Sequence, residues 1–279
     1  MNDRGKRKYG MLGRIDMLEE YRNCEKRLPQ AIVIGVMKAG TEAFATFLAI
    51  NPDIAMSLNV ATTLYFASNY KKGLDWYKDQ MVCSTSSQVT VEKAPQYFMH
   101  SLAPSRIRRM NKYMKIILLV RDPIARAISH YLQAKSAHPK LINNRSFEDI
   151  VFTADGGVKK NDFVAFSEYS VTLKRWYKYF DKSQVLILDG DEFKQDQIKV
   201  LTEAETFLNV RNYITSDKFI FDENKGFYCV NVNGEAACLS KGKGRTHPTL
   251  SPVHYEILKK HFAPYNEEFY KMTGKRYNW

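Results

Sequence analysis

The sequence has no apolar run approaching the ~18 residues that cross a bilayer, and its opening, MNDRGKRKYG, is basic and polar without a signal-peptide core. The expectation is therefore a cytosolic protein, or one whose anchor lies outside this sequence. Cysteine is scarce. Cys24, Cys83, Cys229 and Cys238 are too few for a disulfide scaffold and lack zinc-ligand spacing, so no metal is expected, although the last pair is close enough to close a small loop. Neither GxxxxGK[ST] nor GxGxxG occurs, which removes the nucleoside-triphosphate loop and the dinucleotide fingerprint. Internal repeats and low-complexity tracts are missing as well.

Positive charge is what the chain has in excess. A formal charge of +12 implies a polyanionic partner: nucleic acid, acidic polysaccharide, nucleotide or anionic membrane. With 279 residues, 44% of them apolar, there is ample core for one large α/β domain. Residues 1–29 read as a basic N-terminal arm with a short helix around 16–24, and residues 30–279 as the domain. The single sequon, Asn144-Arg145-Ser146, has meaning only in a secretory compartment.

Ala31 to Leu48 organises the rest. Its continuous apolar, β-branched start predicts a parallel strand covered on both faces. After a turn, Phe44, Phe47 and Leu48 recur at helical spacing. Lys38, Gly40 and Thr41 lie between. A strand that delivers a lysine and free backbone N–H groups to a helix N-terminus is suited to phosphate or sulfate. On these residues alone, an anion cradle and an ordinary strand-to-helix connection both remain open.

Further along, 51–72 reads as loop or irregular strand, and GLDWYKDQM as a short helix with Trp76 and Tyr77 inward. Val89 to Lys93 forms a second strand, stopped by Ala94-Pro95 so that its polar end leaves the sheet. Arg106 to Lys115 is a basic helix or turn. Ile116 to Val120 repeats the strand pattern, and Arg121-Asp122-Pro123 opens a helix carrying Ser129 and Gln133. Arginine and serine placed so could clamp a second phosphate. Residues 146–154 and 167–180 are helical, 185–189 is another buried strand, and a long helix is expected over 192–208. Alternating strands and helices predict a single three-layer α/β domain with a central, mainly parallel sheet and a P-loop-like strand-loop-helix. Asn233-Gly234 between Cys229 and Cys238 suggests a stapled hairpin, and 240–248 a glycine- and lysine-rich loop suited to an anionic ligand. An amphipathic helix with a closing aromatic segment ends the chain.

Together, AIVIGVMKAGT, NPD, GLDWY, TVEKAPQYF, IILLVRDPIARAISHYLQ, LILDGD, KGFYC with Cys238, and KGRTHP resemble, in order, the sulfotransferase superfamily and within it the heparan sulfate glucosamine 3-O-sulfotransferases. The resemblance covers roughly 30–279. It implies transfer of a sulfonyl group from 3′-phosphoadenosine 5′-phosphosulfate (PAPS) to heparan sulfate, leaving adenosine 3′,5′-bisphosphate. Lys38, Ala39, Gly40 and Thr41 match the loop around the 5′-phosphosulfate, with Lys38 neutralising charge on the leaving phosphate oxygen. Arg121 and Ser129 match the 3′-phosphate pair. Tyr228 and Gly242, Lys243, Gly244, Arg245 and Thr246 match the cofactor cover, Cys229–Cys238 the family disulfide, and Lys93, Gln133 and Arg245 the polysaccharide contacts. The family works in the Golgi lumen behind an N-terminal anchor. An acidic polysaccharide partner is implied, with no nucleic acid, no membrane contact required of this chain, and a monomer.

Three departures stand out. The family's general-base glutamate falls at Val60, and from Ile54 to Leu74 there is no Asp, Glu or His at all. A histidine and an aspartate that follow it in the family are missing near Thr62 and Tyr65. The arginine that usually follows the loop threonine is Glu42. Glu42 and Glu92 are replacement candidates for the base. The alternatives are a catalytically impaired homologue that binds cofactor or heparan sulfate, and a glucosamine N-sulfotransferase.

Overall fold

Five buried residues in succession, Ala31–Gly35, form the middle strand of a parallel sheet because both of their faces meet other elements. The computed structural model describes residues 24–58, 64–239 and 247–279. The helix expected over 16–24 and nearly all of the basic arm, Val60 and Thr62, and Gly242, Lys243, Gly244, Arg245 and Thr246 of the expected cover lie outside the described residues.

The chain begins with β1 (Glu25–Lys26), β2 (Ala31–Gly35), α1 (Thr41–Leu48), β3 (Ile54–Ser57), α2 (Gly73–Asp79), β4 (Cys83–Ser84) and β5 (Val89–Lys93). It continues through α3 (Ala103–Met110), β6 (Lys115–Val120), α4 (Pro123–Ala137), α5 (Pro139–Ile142), α6 (Phe147–Val151), α7 (Asp162–Ala165) and α8 (Tyr169–Tyr177). Then come β7 (Val185–Asp189), α9 (Gly190–Gln195), α10 (Gln197–Leu208), β8 (Phe219–Asp222), β9 (Phe227–Val232), β10 (Glu235–Ala237) and α11 (Pro252–Thr273).

The central sheet has the order β3-β5-β2-β6-β7, and every pairing in it is parallel. From β2 the chain goes to one edge and returns, then crosses to β6, so the direction of winding reverses beside β2. Ligands of open parallel sheets bind at such a reversal, outside the carboxyl ends of the strands. Here those ends are the loop after Gly35, Lys93, Arg121 and Gly190.

Three local expectations are corrected. Ile54–Ser57, expected as loop or irregular strand, is a regular strand paired with β5; four residues after Asn51-Pro52 are too short a run to declare themselves. The long helix over 192–208 is two helices. Asp196 leaves the helical region and its carboxylate accepts the Lys199 N–H at 3.0 Å, capping α10. The third correction is Cys24–Cys83, a second disulfide beside the β1–β4 pair, 59 residues apart and so invisible to spacing.

The stapled hairpin is present. Val232 pairs with Glu235 across Asn233 (φ 54°) and Gly234 (φ 89°), a two-residue turn that needs positive φ at both positions. Cys229–Cys238 closes it, and β8 adds a strand that the sequence did not announce. Among the described residues, no helix is long and apolar enough to cross a membrane.

Candidate active site

The loop from Val36 to Gly40 leaves β2 tied to β6, since the Val36 N–H donates to the Leu119 carbonyl at 2.7 Å. Lys38 and Gly40 both have positive φ, 78° and 89°, which turns the chain sharply into α1. No side chain caps α1, so its first N–H groups are left to a ligand or to water. The loop rests on β7–α9 without clearance. A Cβ on Gly190 would lie 2.4 Å from the Ala39 carbonyl oxygen and 2.9 Å from that of Val120. Only glycine permits this approach, and it fixes the loop against the strand ends.

Positive side chains converge above this floor. Arg121 donates through Nε to Asp191 Oδ1 at 3.3 Å, and the Tyr169 hydroxyl donates to the Arg121 carbonyl at 2.8 Å. Asp191 also accepts the Asp122 N–H at 3.0 Å, while Asp122 caps α4 by accepting from the Ala125 N–H. The backbone of Arg121 is thus fixed, and its guanidinium is oriented by one bond through Nε. The His247 imidazole is pushed down first by burial and then by Arg121, Lys194 and Lys38, against the opposing Asp191. Three cations from three separate elements therefore all act on the His247 imidazole. Lys194 on α9 and His247 were not singled out in the sequence. His247 stood within KGRTHP without a role, and Lys194 had no signal, because only the fold brings α9 to the loop.

α4 supplies the next layer. Ser129 is half-buried and Gln133, one turn later on the same face, is exposed. Beneath them Arg126 is sealed, donating from Nε to Ser167 Oγ at 2.5 Å, and Ser167 donates to the Pro123 carbonyl at 2.8 Å. His130 lies flat on Phe166, with ring centroids 5.6 Å apart, and burial together with the charges of Arg126 and Lys38 pushes its pKa down to about 4. It is a neutral imidazole at physiological pH.

Alternation along β5 sends its last two side chains to opposite faces. Lys93, only 5% exposed, is ion-paired with Glu42 in the first turn of α1. Glu92 is fully buried and accepts hydrogen bonds from the hydroxyls of Tyr77 and Tyr97, the latter at 3.0 Å. That is a core environment, closed to an acceptor, and it sets Glu92 apart from Glu42. Tyr65, near the place where the family aspartate is missing, is also core, stacked on Tyr77 at 4.4 Å. Tyr228 lies on β9 with its ring 5.0 Å from Phe221, next to the buried Cys229. The structure thus brings Lys38, Ala39, Gly40, Thr41, Glu42, Lys93 and Arg121 to one end of the sheet, with Lys194 and His247 added.

The Sulfotransferase domain family model matches residues 28–276. The chain is 38% identical over 260 residues to mouse heparan sulfate glucosamine 3-O-sulfotransferase 3B1, covering 91% of this chain and 65% of that protein. It is 35% identical over 258 residues to mouse heparan sulfate glucosamine 3-O-sulfotransferase 5, covering 91% and 75%. The chain thus spans just under two thirds of the first of these relatives. A sulfotransferase from Alicyclobacillus acidocaldarius shares the fold, with a TM-score of 0.67 at 17% identity over 90% of this chain and 98% of that one. The chain belongs to the sulfotransferase family and, within it, groups with the heparan sulfate glucosamine 3-O-sulfotransferases.

Proposed function

We propose that this protein transfers a sulfonyl group from PAPS to the 3-O position of a glucosamine in heparan sulfate. The observation that carries the reading is the loop turned by positive φ at Lys38 and Gly40 into a helix N-terminus without a side-chain cap, with positive charge from Lys38, Arg121 and Lys194 around it. Such a site fits a ligand with two separated anionic groups better than one with a single charge. When bound, the cofactor supplies the activated sulfonyl group. Lys38, Ala39, Gly40 and Thr41 would hold its 5′ end, and Arg121 with Ser129 its 3′-phosphate. Tyr228 and the segment Gly242, Lys243, Gly244, Arg245 and Thr246 would complete the pocket.

Lys38 carries the electrostatic work, placing fixed positive charge where the leaving phosphate oxygen gains negative charge. Asp191 keeps Arg121 in one orientation. On the acceptor side, Glu42 is partly exposed beside the loop, and we assign it to receive the proton from the acceptor hydroxyl, with Lys93 holding the carboxylate in place. Glu92 is left out of the mechanism, because two tyrosines occupy it. Gln133 and Arg245 would meet the polysaccharide, whose negative charge suits a protein of formal charge +12, whereas Lys93, expected from the sequence to join them, is nearly sealed and paired with Glu42. Two disulfides are consistent with a secretory compartment such as the Golgi lumen.

One observation favours a second reading, a homologue that binds cofactor and polysaccharide without turnover. Glu42 already neutralises Lys93, and 54–74 contains no acidic residue or histidine. Radiolabelled sulfate transfer from PAPS to heparan sulfate, run beside Lys38→Ala and Glu42→Ala, separates the two. Wild-type activity at the Lys38→Ala level, with cofactor binding intact, overturns the enzyme reading.

A further inference from the structure

A second concentration of positive charge lies at the other end of the sheet. Arg108, Arg109 and Lys112 close α3 and the turn after it, and 106–115 contains five basic residues and no acidic one. Lys178 and Lys182 follow α8, in a segment whose one acid is Asp181. Gln184 joins the two segments. The Lys112 carbonyl accepts from Arg108 Nη1 and, at 3.0 Å, from Gln184 Nε2, which also donates to the Met114 carbonyl at 3.2 Å. Arg109, Lys112, Lys178 and Lys182 are exposed, and none of them forms an ion pair with a carboxylate among the described residues. Between them Tyr113 is 74% exposed, with Lys112 Nζ 4.9 Å from its ring centroid.

Unpaired lysines and arginines repel one another, and a fold tolerates such a group on one face when a polyanion or salt screens it. The flat exposed ring beside them offers a face for the apolar side of a sugar, a contact that small inorganic ions do not need. The distance matters too. Lys115 begins β6 and Arg121 follows its end, so at about 3.3 Å per residue the patch is roughly 20 Å from the cofactor end. It cannot be part of the same pocket.

We propose that this face is a second binding surface for the sulfated polysaccharide, holding a stretch of the chain away from the sugar that reacts. The partner rests on the function proposed above; the surface itself rests on the charge and geometry. It would retain a long acceptor between encounters with the active end, and a short oligosaccharide could not reach both places.

The test pairs two charge-reversal variants, Arg109→Glu/Lys112→Glu and Lys178→Glu/Lys182→Glu, each checked for an unchanged melting curve. Both should leave a heparin column at lower sodium chloride than wild type. In the transfer assay, KM for long heparan sulfate should rise severalfold in both, while kcat and KM for a short oligosaccharide stay at wild-type values. Unchanged elution of both variants overturns the proposal. Unchanged elution together with loss of binding to phosphatidylserine-containing vesicles would overturn it in favour of a lipid surface. If wild type transfers no sulfate, the function proposed above fails, and the column result still decides the surface.

Discussion

The ammonium of Lys93, at the end of β5, is held by the carboxylate of Glu42 from α1, the helix that follows the Val36–Gly40 loop. Lys93 is nearly sealed from solvent, and Glu42 is partly open to it. A buried charge that loses its partner is far more costly than an exposed one, so the pair is asymmetric.

Replacing Glu42 with glutamine tests both sides of that asymmetry. The substitution leaves the nearly sealed Lys93 ammonium without its carboxylate, so it should cost about 3 kcal/mol, or a fall of ~6–12 °C in melting temperature. If Glu42 also takes the acceptor proton, transfer should fall by ~10²–10⁴-fold with cofactor affinity unchanged. Calorimetric binding of adenosine 3′,5′-bisphosphate beside the sulfate assay distinguishes the two effects.

Lys38→Ala should reduce kcat by ~10²–10³-fold, the scale of removing one group that stabilises developing charge. Its melting temperature should stay within a degree or two of wild type. A variant with normal kcat would remove Lys38 from the mechanism.

Gly190→Ala should disturb the cofactor loop through contact alone. The new methyl group would overlap the Ala39 and Val120 carbonyl oxygens, and backbone atoms cannot rotate away as a side chain would. Overpacking of this kind costs about 1–3 kcal/mol. Titration calorimetry should show weaker binding of adenosine 3′,5′-bisphosphate although no ligand-facing residue has changed.

His130 predicts the acid limb of stability. Its folded pKa of about 4 lies below the ordinary 6.5, so between those values the unfolded chain binds a proton that the folded chain does not. Stability from this residue is present above 6.5 and is lost as pH falls toward 4, by roughly 3 kcal/mol at about 1.4 kcal/mol per pH unit. Urea midpoints at pH 7 and pH 4.5 should differ for wild type, and the difference should shrink in His130→Gln, leaving the part due to His100 and His247, which burial also depresses.

The two disulfides should separate stability from binding. By chain entropy, the 59-residue separation of Cys24–Cys83 contributes about 4 kcal/mol and the nine-residue separation of Cys229–Cys238 about 2.6 kcal/mol. Cys24→Ser/Cys83→Ser should therefore melt lower than Cys229→Ser/Cys238→Ser. The second variant should lose more cofactor affinity, because its bridge lies next to Tyr228. Differential scanning calorimetry and ligand titration give the two rankings.

Some of this was legible in the residues. The buried strands declared themselves because both faces are covered and no polar residue interrupts them, and the Asn233-Gly234 turn because positive φ selects those residues. β3 did not, since an edge strand of four residues carries little pattern. The site divided the same way. Arg121 directly follows β6 and Lys38 lies in the loop after β2, so both were readable as candidates from their place beyond apolar strands. Lys194 lies in an ordinary helix whose charge acquires meaning only when β7 and β2 bring α9 to the loop. Glu92 illustrates the reverse failure: a carboxylate next to Lys93 in sequence faces the other side of the sheet in space.

The small β8–β9–β10 sheet has one further consequence. Its outer strand, Glu235–Ala237, is wholly exposed and pairs on one side only, whereas β2 and all of β6 after Lys115 are buried and paired on both sides. Amide hydrogen exchange should therefore proceed there through small local openings, orders of magnitude ahead of β2 and β6, with the bridge at Cys229 limiting how far each opening spreads. The opening would take in Val230 to Val232 and stop at the bridge, so Tyr228, paired with Phe221 on β8, would stay as ordered as the strand that leads to Lys38.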